Sequence, residues 1–310
     1  MTENKIEIDE SLGKKEKPKA IETENKDNSK KEIKKEVAEK VPEKKESEKI
    51  TQKKVITEKL KEETKKEVIE KVDSSKFKKV ERIPSGVFGF DELIEGGFEK
   101  ESVVLVAGSA GTGKTTFGLQ FLYYGAKTYN EPGILISFEE SKESYYKHNA
   151  EYGWDFKELE DKGLFRVLEY KPHQVGRLLE QGGGPIRDAI QQIKAKRLVI
   201  DSITAYSLLF KDEYQQRENI LRFFDLIRKW GCTSIILSEM TPKEAETSKG
   251  SVGFLVDALI SLYYEKKEEK DVRVHSLEIL KMRGTRHTNK VCALNFEKEG
   301  IKIYADIEIF

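Results

Sequence analysis

The chain has 310 residues, of which 56 are Lys or Arg, 56 are Asp or Glu, and 37% are hydrophobic. That length allows one large domain or two small ones, and no apolar run approaches the ~18 residues that a membrane span requires. The N-terminus lacks the apolar core of an export signal, and Cys232 and Cys292 stand alone with no metal-ligand spacing, so a cytoplasmic protein with reduced thiols is expected.

From Met1 to Val80 the only aromatic is Phe77, arginine is absent, and 24 Lys with 20 Asp or Glu make up more than half of the segment. Such a composition cannot bury enough apolar surface to offset the entropy of ordering the chain. Residues 1–80 are therefore expected to be a low-complexity tail and residues 81–310 the folded domain. Within the tail Ile33, Val37 and Val41, then Ile56, Leu60, Val68 and Val72, recur at multiples of four. Because sustained heptads are absent, this stripe favours a disordered or fluctuating helical tail over a helix that binds a protein partner. Of the chain's 56 basic and 56 acidic residues, 32 and 36 remain for the folded part. A slightly acidic domain argues against a nonspecific nucleic-acid surface.

In chain order, "SVVLVAG" (102–108) is a continuous β-branched run ending in Gly, as expected for a strand buried on both faces. A helix is expected over 114–127, a strand over 132–140, a polar-aromatic helix from Ser141 to about Tyr152, and a strand over 164–170. Then follow a helix over 184–195, a strand over 197–202, a helix over 218–230 and a strand over 233–240. Strand and helix alternate, which predicts an α/β fold with a mainly parallel twisted sheet and helices on both faces. After Thr241 "LVDALISLYYE", "RVHSLEILKMRG" and "KVCALNFEKEGIKIY" read as successive strands without helices, an antiparallel C-terminal edge.

The stretch Gly108-Ser109-Ala110-Gly111-Thr112-Gly113-Lys114-Thr115 matches G-x-x-x-x-G-K-[ST], with Thr116 following it into the helix. In this motif the glycines let backbone N–H groups turn inward around a phosphate, the lysine reaches the β and γ phosphates, and the hydroxyl ligates Mg²⁺. The helix that starts at Lys114 points its positive end at the same anion. A second ligand for the Mg²⁺ shell is Asp201, at the end of the apolar strand "RLVID". Glu139 and Glu140, read as the end of the strand after the P-loop helix, are candidates to orient or deprotonate the attacking water. Their position alone fits solvated loop acids equally well.

Near the C-terminus "LKMRGTRH" (280–287) concentrates Lys281, Arg283, Arg286 and His287 in a segment that otherwise reads as a strand. Alternation places Lys281 and Arg283 on one face and Leu280 and Met282 on the other. Two adjacent cations suit a triphosphate, although a solvated strand end has the same pattern.

Taken together, "RIPSGVFGFDELIEGGFEKESVVLVAGSAGTGKTT", "SFEES", "EYGWDFKELEDKGLF", "RLVIDSIT" and "SLEILKMRGTRH" resemble the RecA-like ATPases of the KaiC group over residues 82–308. The resemblance implies a RecA-like P-loop core, ATP and Mg²⁺ as ligands, and a homo-hexameric ring with ATP between subunits. It implies that Glu139 and Glu140 are catalytic carboxylates and that Lys281 and Arg283 act on the neighbour's γ-phosphate. Met282, Thr285 and His287 are then expected at the same interface, whereas nothing requires Arg286. The family's autophosphorylating domains carry adjacent Ser and Thr where this chain has Gly253 and Phe254. This argues against autokinase activity there, although Thr247, Ser248 and Ser251 supply hydroxyls nearby.

Three functions are open to such a chain. The first is a slow regulatory ATPase, and the second a nucleotide-gated scaffold with little turnover. The third, a RecA-like DNA-binding filament, is disfavoured by the acidic balance of the domain.

Overall fold

The computed structural model describes residues 80–308, apart from residues 181, 242–243, 245–251 and 268–270. The tail with its apolar stripe, and Thr247, Ser248 and Ser251, lie outside the described residues.

Two short strands, β1 (Arg82–Ile83) and β2 (Phe98–Glu99), form an antiparallel pair ahead of the main sheet. The main sheet then builds up by alternation: β3 (Val103–Gly108), α1 (Lys114–Tyr129), β4 (Gly133–Ser137), α2 (Lys142–Asn149), α3 (Phe156–Asp161) and β5 (Phe165–Glu169). Next come α4 (Pro172–Glu180), α5 (Gly184–Ile193), β6 (Arg197–Asp201), α6 (Ile203–Ser207), α7 (Glu213–Trp230) and β7 (Thr233–Ser238). Four strands close the chain: β8 (Ala258–Lys267), β9 (Val272–Met282), β10 (Cys292–Glu297) and β11 (Gly300–Glu308).

The nine strands lie in the order β11-β10-β9-β8-β3-β7-β6-β4-β5. From β8 to β5 all neighbours are parallel, and β9, β10 and β11 extend the β8 edge antiparallel. Every residue of β3, β4 and β7 is buried, which explains why these strands read as unbroken apolar runs rather than alternating ones. Side chains of β3 alternate between two apolar layers. Val104 and Val106 pack with Phe117 and Phe121 of α1, while Val103, Leu105 and Ala107 pack with Ile186 of α5 and Phe223 of α7. Among the described residues no helix is long and apolar enough to cross a membrane.

Several sequence expectations need correction. Strand β4 ends at Ser137, so Glu139 and Glu140 sit in the loop after it rather than on it. Helices α3, α4 and α6 fill segments to which the sequence patterns assigned no element, and α7 begins at Glu213 instead of 218. Its polar first turns hide the start, but Asp212 caps it by accepting the Gln215 N–H at 2.9 Å. The segment "KVCALNFEKEGIKIY" folds as two strands, β10 and β11.

The pairing of β8 with β9 shifts between Leu259 and Ile260, so that Leu259 faces Lys281 and Ile260 faces Ile279. One residue of β9, Leu280, is extra, and a bulge of this kind breaks the two-residue alternation. Leu280 therefore packs on the α7 layer and Met282 on the α1 layer. The expectation that these two share a face does not hold. Lys281 and Arg283 do share one, since both donate to the Phe254 carbonyl.

Candidate active site

The P-loop leaves the carboxyl end of β3 and feeds α1 through Gly113, whose φ of 98° is open to glycine at little cost. A Cβ there would also meet Phe296 Cζ at 2.6 Å. The cradle therefore needs glycine for both its turn and its neighbour. Thr112 Oγ1 and Lys114 Nζ each donate to the Ser109 carbonyl at 2.9 Å, closing the loop on itself. Lys114 is only 8% exposed. Burial lowers its pKa, and the charges of Glu239, Asp201 and Glu139 oppose that shift.

Asp201 ends β6, two strands from β3, yet its Oδ2 accepts the Thr115 hydroxyl at 2.9 Å. The same oxygen accepts the Tyr145 hydroxyl at 3.2 Å. Burial pushes the Asp201 carboxyl up to about 6; these two hydrogen bonds pull it down, and the nearby Glu139 and Glu140 raise it. The phenol of Tyr145 is pushed up in turn, by burial first and then by the charge of Asp201.

Glu139 and Glu140 are held by different partners. Glu139 Oε1 accepts the hydroxyl of Ser202, the residue after Asp201, at 3.0 Å. Glu140 Oε2 accepts the Ser144 hydroxyl at 2.6 Å and lies 3.8 Å from His148 Nδ1. A polar cavity of about 370 Å³ opens beside both, lined by Ser137, Glu169, Tyr170, Lys171 and Gln174. It lies toward β5, away from the phosphate cradle.

The cations of the C-terminal segment stand elsewhere. Lys281 Nζ donates to the carbonyls of Gly253 at 3.0 Å and Val256 at 2.8 Å, and Arg283 Nη2 to that of Phe254 at 2.9 Å. Burial, then the neighbouring Arg283, lower the Lys281 pKa. Arg283 also lies 3.5 Å from Asp257, whose carboxylate accepts the Val103 N–H at 2.9 Å and the Arg228 guanidinium at 2.8 Å. Val103 begins β3, whereas the P-loop leaves its other end at Gly108. A strand of that length spans about 17 Å, further than either side chain extends. The structure thus brings together the P-loop, Asp201, Glu139 and Glu140, and keeps Lys281 and Arg283 apart from them. Thr285 is buried, with its hydroxyl taken by Arg82 at 2.5 Å, and His287 Nδ1 lies 2.8 Å from the Thr288 carbonyl. Arg286 pairs with Glu95 at 2.7 Å, the solvated role left to it by the sequence.

With this geometry the chain matches the family model described as "ATPase: KaiC" over residues 83–308. The chain belongs to the KaiC family of ATPases. It is 33% identical over 247 residues to the circadian clock oscillator protein KaiC of Prochlorococcus marinus, covering 76% of this chain and 47% of that one. It is 32% identical over 240 residues to UPF0273 protein MJ1359 of Methanocaldococcus jannaschii, covering 73% of this chain and 98% of the relative. Among solved structures, KaiC-like protein PH0186 from Pyrococcus horikoshii OT3 superposes with a TM-score of 0.65 at 35% identity, covering 73% of this chain and 100% of that one. The chain spans about half the length of the KaiC clock proteins it matches. Its fold is accordingly the RecA-type core of the family with an antiparallel C-terminal edge.

This KaiC-family site contains residues that sequence patterns did not single out. Glu239 follows β7, the strand between β3 and β6, and its charge acts on Lys114. Its place at the carboxyl end of a central strand was a usable signal. Ser202 beside Asp201 offered a weaker one. Tyr145 and Ser137 offered none, since a Tyr in an aromatic-rich helix reads as core.

Proposed function

We propose that the chain is a Mg²⁺-dependent ATPase of slow, regulatory turnover, acting in the cytoplasm as a homo-hexameric ring with ATP bound between subunits. The observation that carries this reading is the separation along β3: Lys281 and Arg283 stand at the end of the strand opposite the P-loop. Cations so placed can serve a nucleotide only across a subunit boundary.

In this reading the backbone N–H groups of Ser109 to Gly113 and the ammonium of Lys114 bind the β and γ phosphates. The residues present also fit a divalent cation. Thr115 and Asp201 offer one hydroxyl and one carboxylate in mutual contact, and Mg²⁺ is commonly held by one or two carboxylates with phosphates and waters. Among the described residues no cluster of three or more His, Cys, Asp or Glu forms a dedicated cage. When bound, Mg²⁺ neutralises charge developing on the phosphate oxygens. Glu139 and Glu140 orient the attacking water and accept its proton, and Lys281 with Arg283 of the adjoining subunit stabilise the transferring phosphoryl group.

Steady-state hydrolysis by the full chain, with light scattering to follow assembly, tests the reading. A Glu139→Gln/Glu140→Gln variant is expected to bind Mg²⁺-nucleotide and assemble while losing turnover. Wild-type turnover in that variant, or a chain that hydrolyses ATP as a monomer, contradicts it.

A further inference from the structure

We infer that Tyr145 is a positioning residue of this site, its buried hydroxyl fixing the Asp201 carboxylate for the metal–nucleotide complex, and its helix α2 tying that carboxylate to the Glu140 segment from which the helix starts. The inference rests on the ATPase reading above and adds to it a residue outside the nucleotide motifs.

Each hydroxyl has one proton to give. The proton of Ser137 goes to the Glu140 carbonyl, 2.6 Å away, and the Ser137 oxygen accepts the Glu140 N–H at 3.1 Å. Tyr145 lies 3.1 Å from that same oxygen and 3.2 Å from Asp201 Oδ2. With Ser137 already committed as a donor, the phenol proton belongs to the carboxylate, the stronger acceptor. Asp201 Oδ2 then receives two hydroxyls, from Thr115 at one side and Tyr145 at the other.

The phenol is held where it is by the fold. Tyr145 is 2% exposed and packs in the α1 layer. Its helix begins one residue after Ser141, which follows Glu140 directly and caps the helix by accepting the Ser144 N–H. Asn149 Nδ2 donates to the Tyr145 carbonyl at 2.8 Å from the next turn. A shift of the carboxylate therefore requires a shift of α2, and α2 in turn moves with the Glu139–Glu140 loop. Tyr145 and its helix thereby tie one carboxylate oxygen at the end of β6 to the loop that follows β4.

The test is binding of a fluorescent ATP analogue to the full chain, titrated with Mg²⁺ and repeated in excess chelator. In Tyr145→Phe the half-saturating Mg²⁺ concentration is expected to rise about tenfold, the effect of one lost charge-assisted hydrogen bond. Affinity in chelator should stay within about twofold, a split that a general loss of packing would not give. Tyr146→Phe, which removes the neighbouring phenol from Glu160, should leave both values unchanged. Ser137→Ala keeps the Tyr145–Asp201 bond and is expected to leave the Mg²⁺ midpoint in place while turnover falls. It decides the matter if Tyr145→Phe fails to fold, because a tenfold shift in its Mg²⁺ midpoint overturns the direct assignment. An unchanged midpoint in folded Tyr145→Phe overturns the assignment and leaves the ATPase reading standing. Mg²⁺-independent binding by the wild-type chain overturns both.

Discussion

Asp257 accepts the backbone N–H of Val103 at 2.9 Å, which anchors the carboxylate that faces Arg283 and Arg228 to the start of β3. The P-loop leaves the same strand at Gly108. In the reading proposed above, one strand separates the P-loop from Lys281 and Arg283 within a chain, and a head-to-tail assembly is the arrangement that would bring them to one nucleotide.

In the proposed reading Lys114 acts from its own end of that strand. Lys114→Ala is expected to lower hydrolysis by at least about 100-fold, through loss of a buried cation aimed at the phosphates. Nucleotide affinity should fall with it. Isothermal calorimetry beside a phosphate-release assay checks both.

In the same reading Arg283 acts from the other end. Arg283→Ala is expected to reduce kcat by about 10³-fold or more, as for a cation that acts in the transition state, with KM changed by less than about threefold. Phosphate release over a range of ATP concentrations separates the two constants. A large rise in KM at constant kcat would mean that Arg283 only binds.

Arg197 shows what a purely structural cation looks like in this fold. It is fully buried, donates to the carbonyls of Pro84 and Phe121 at 2.8 and 2.9 Å, and lies over the Phe121 ring. Its Nε donates to Glu131 at 2.8 Å, and its Nη2 lies 2.6 Å from the same carboxylate without a hydrogen-bonding angle. Glu131→Ala leaves a buried guanidinium short of its counter-charge. Because Glu131 is 24% exposed, the expected cost is about 2–3 kcal/mol, below the range for a fully buried pair. Urea unfolding followed by circular dichroism measures it, and hydrolysis at low temperature should be unaffected.

Cys232 is 1% exposed, and burial pushes its thiol up to about 12, against about 8.5 for a free thiol. A raised folded-state value favours the protonated form, so its contribution to stability is complete below about pH 8.5 and is lost as pH rises toward 12. Between pH 8.5 and 10 the wild-type chain is expected to lose up to about 2 kcal/mol more than Cys232→Ala, read from urea midpoints. Both cysteines are buried, so a thiol reagent at pH 8 should label the chain only after denaturation.

The parts of this molecule that were legible in the sequence are those whose chemistry demands a fixed spacing. The P-loop needs its glycines and Lys114 in register, and Asp201 needs only an apolar strand before it. Both stand where the pattern placed them. What escaped depends on tertiary position. The bulge at Leu280 is an outcome of pairing with β8, and a residue-by-residue alternation rule has no means to see it. Helix α3 carried a local signal, since Asp155 caps it by accepting the Glu158 N–H at 2.8 Å, but six residues are too short for a periodic pattern. Tyr145 reaches Asp201 only because α2 folds back over the end of β6, and contacts 56 residues apart leave no trace in spacing.

The proposal that the site is shared between subunits is tested most directly by mixing two variant chains. Lys114→Ala subunits retain the Arg283 cation, and Arg283→Ala subunits retain the P-loop lysine. In a random one-to-one assembly of head-to-tail subunits about a quarter of the sites combine both intact halves. The account predicts that the mixture regains hydrolysis toward that fraction of wild type, with each variant alone inactive. A mixture that stays as inactive as its two components, while still assembling, would contradict it.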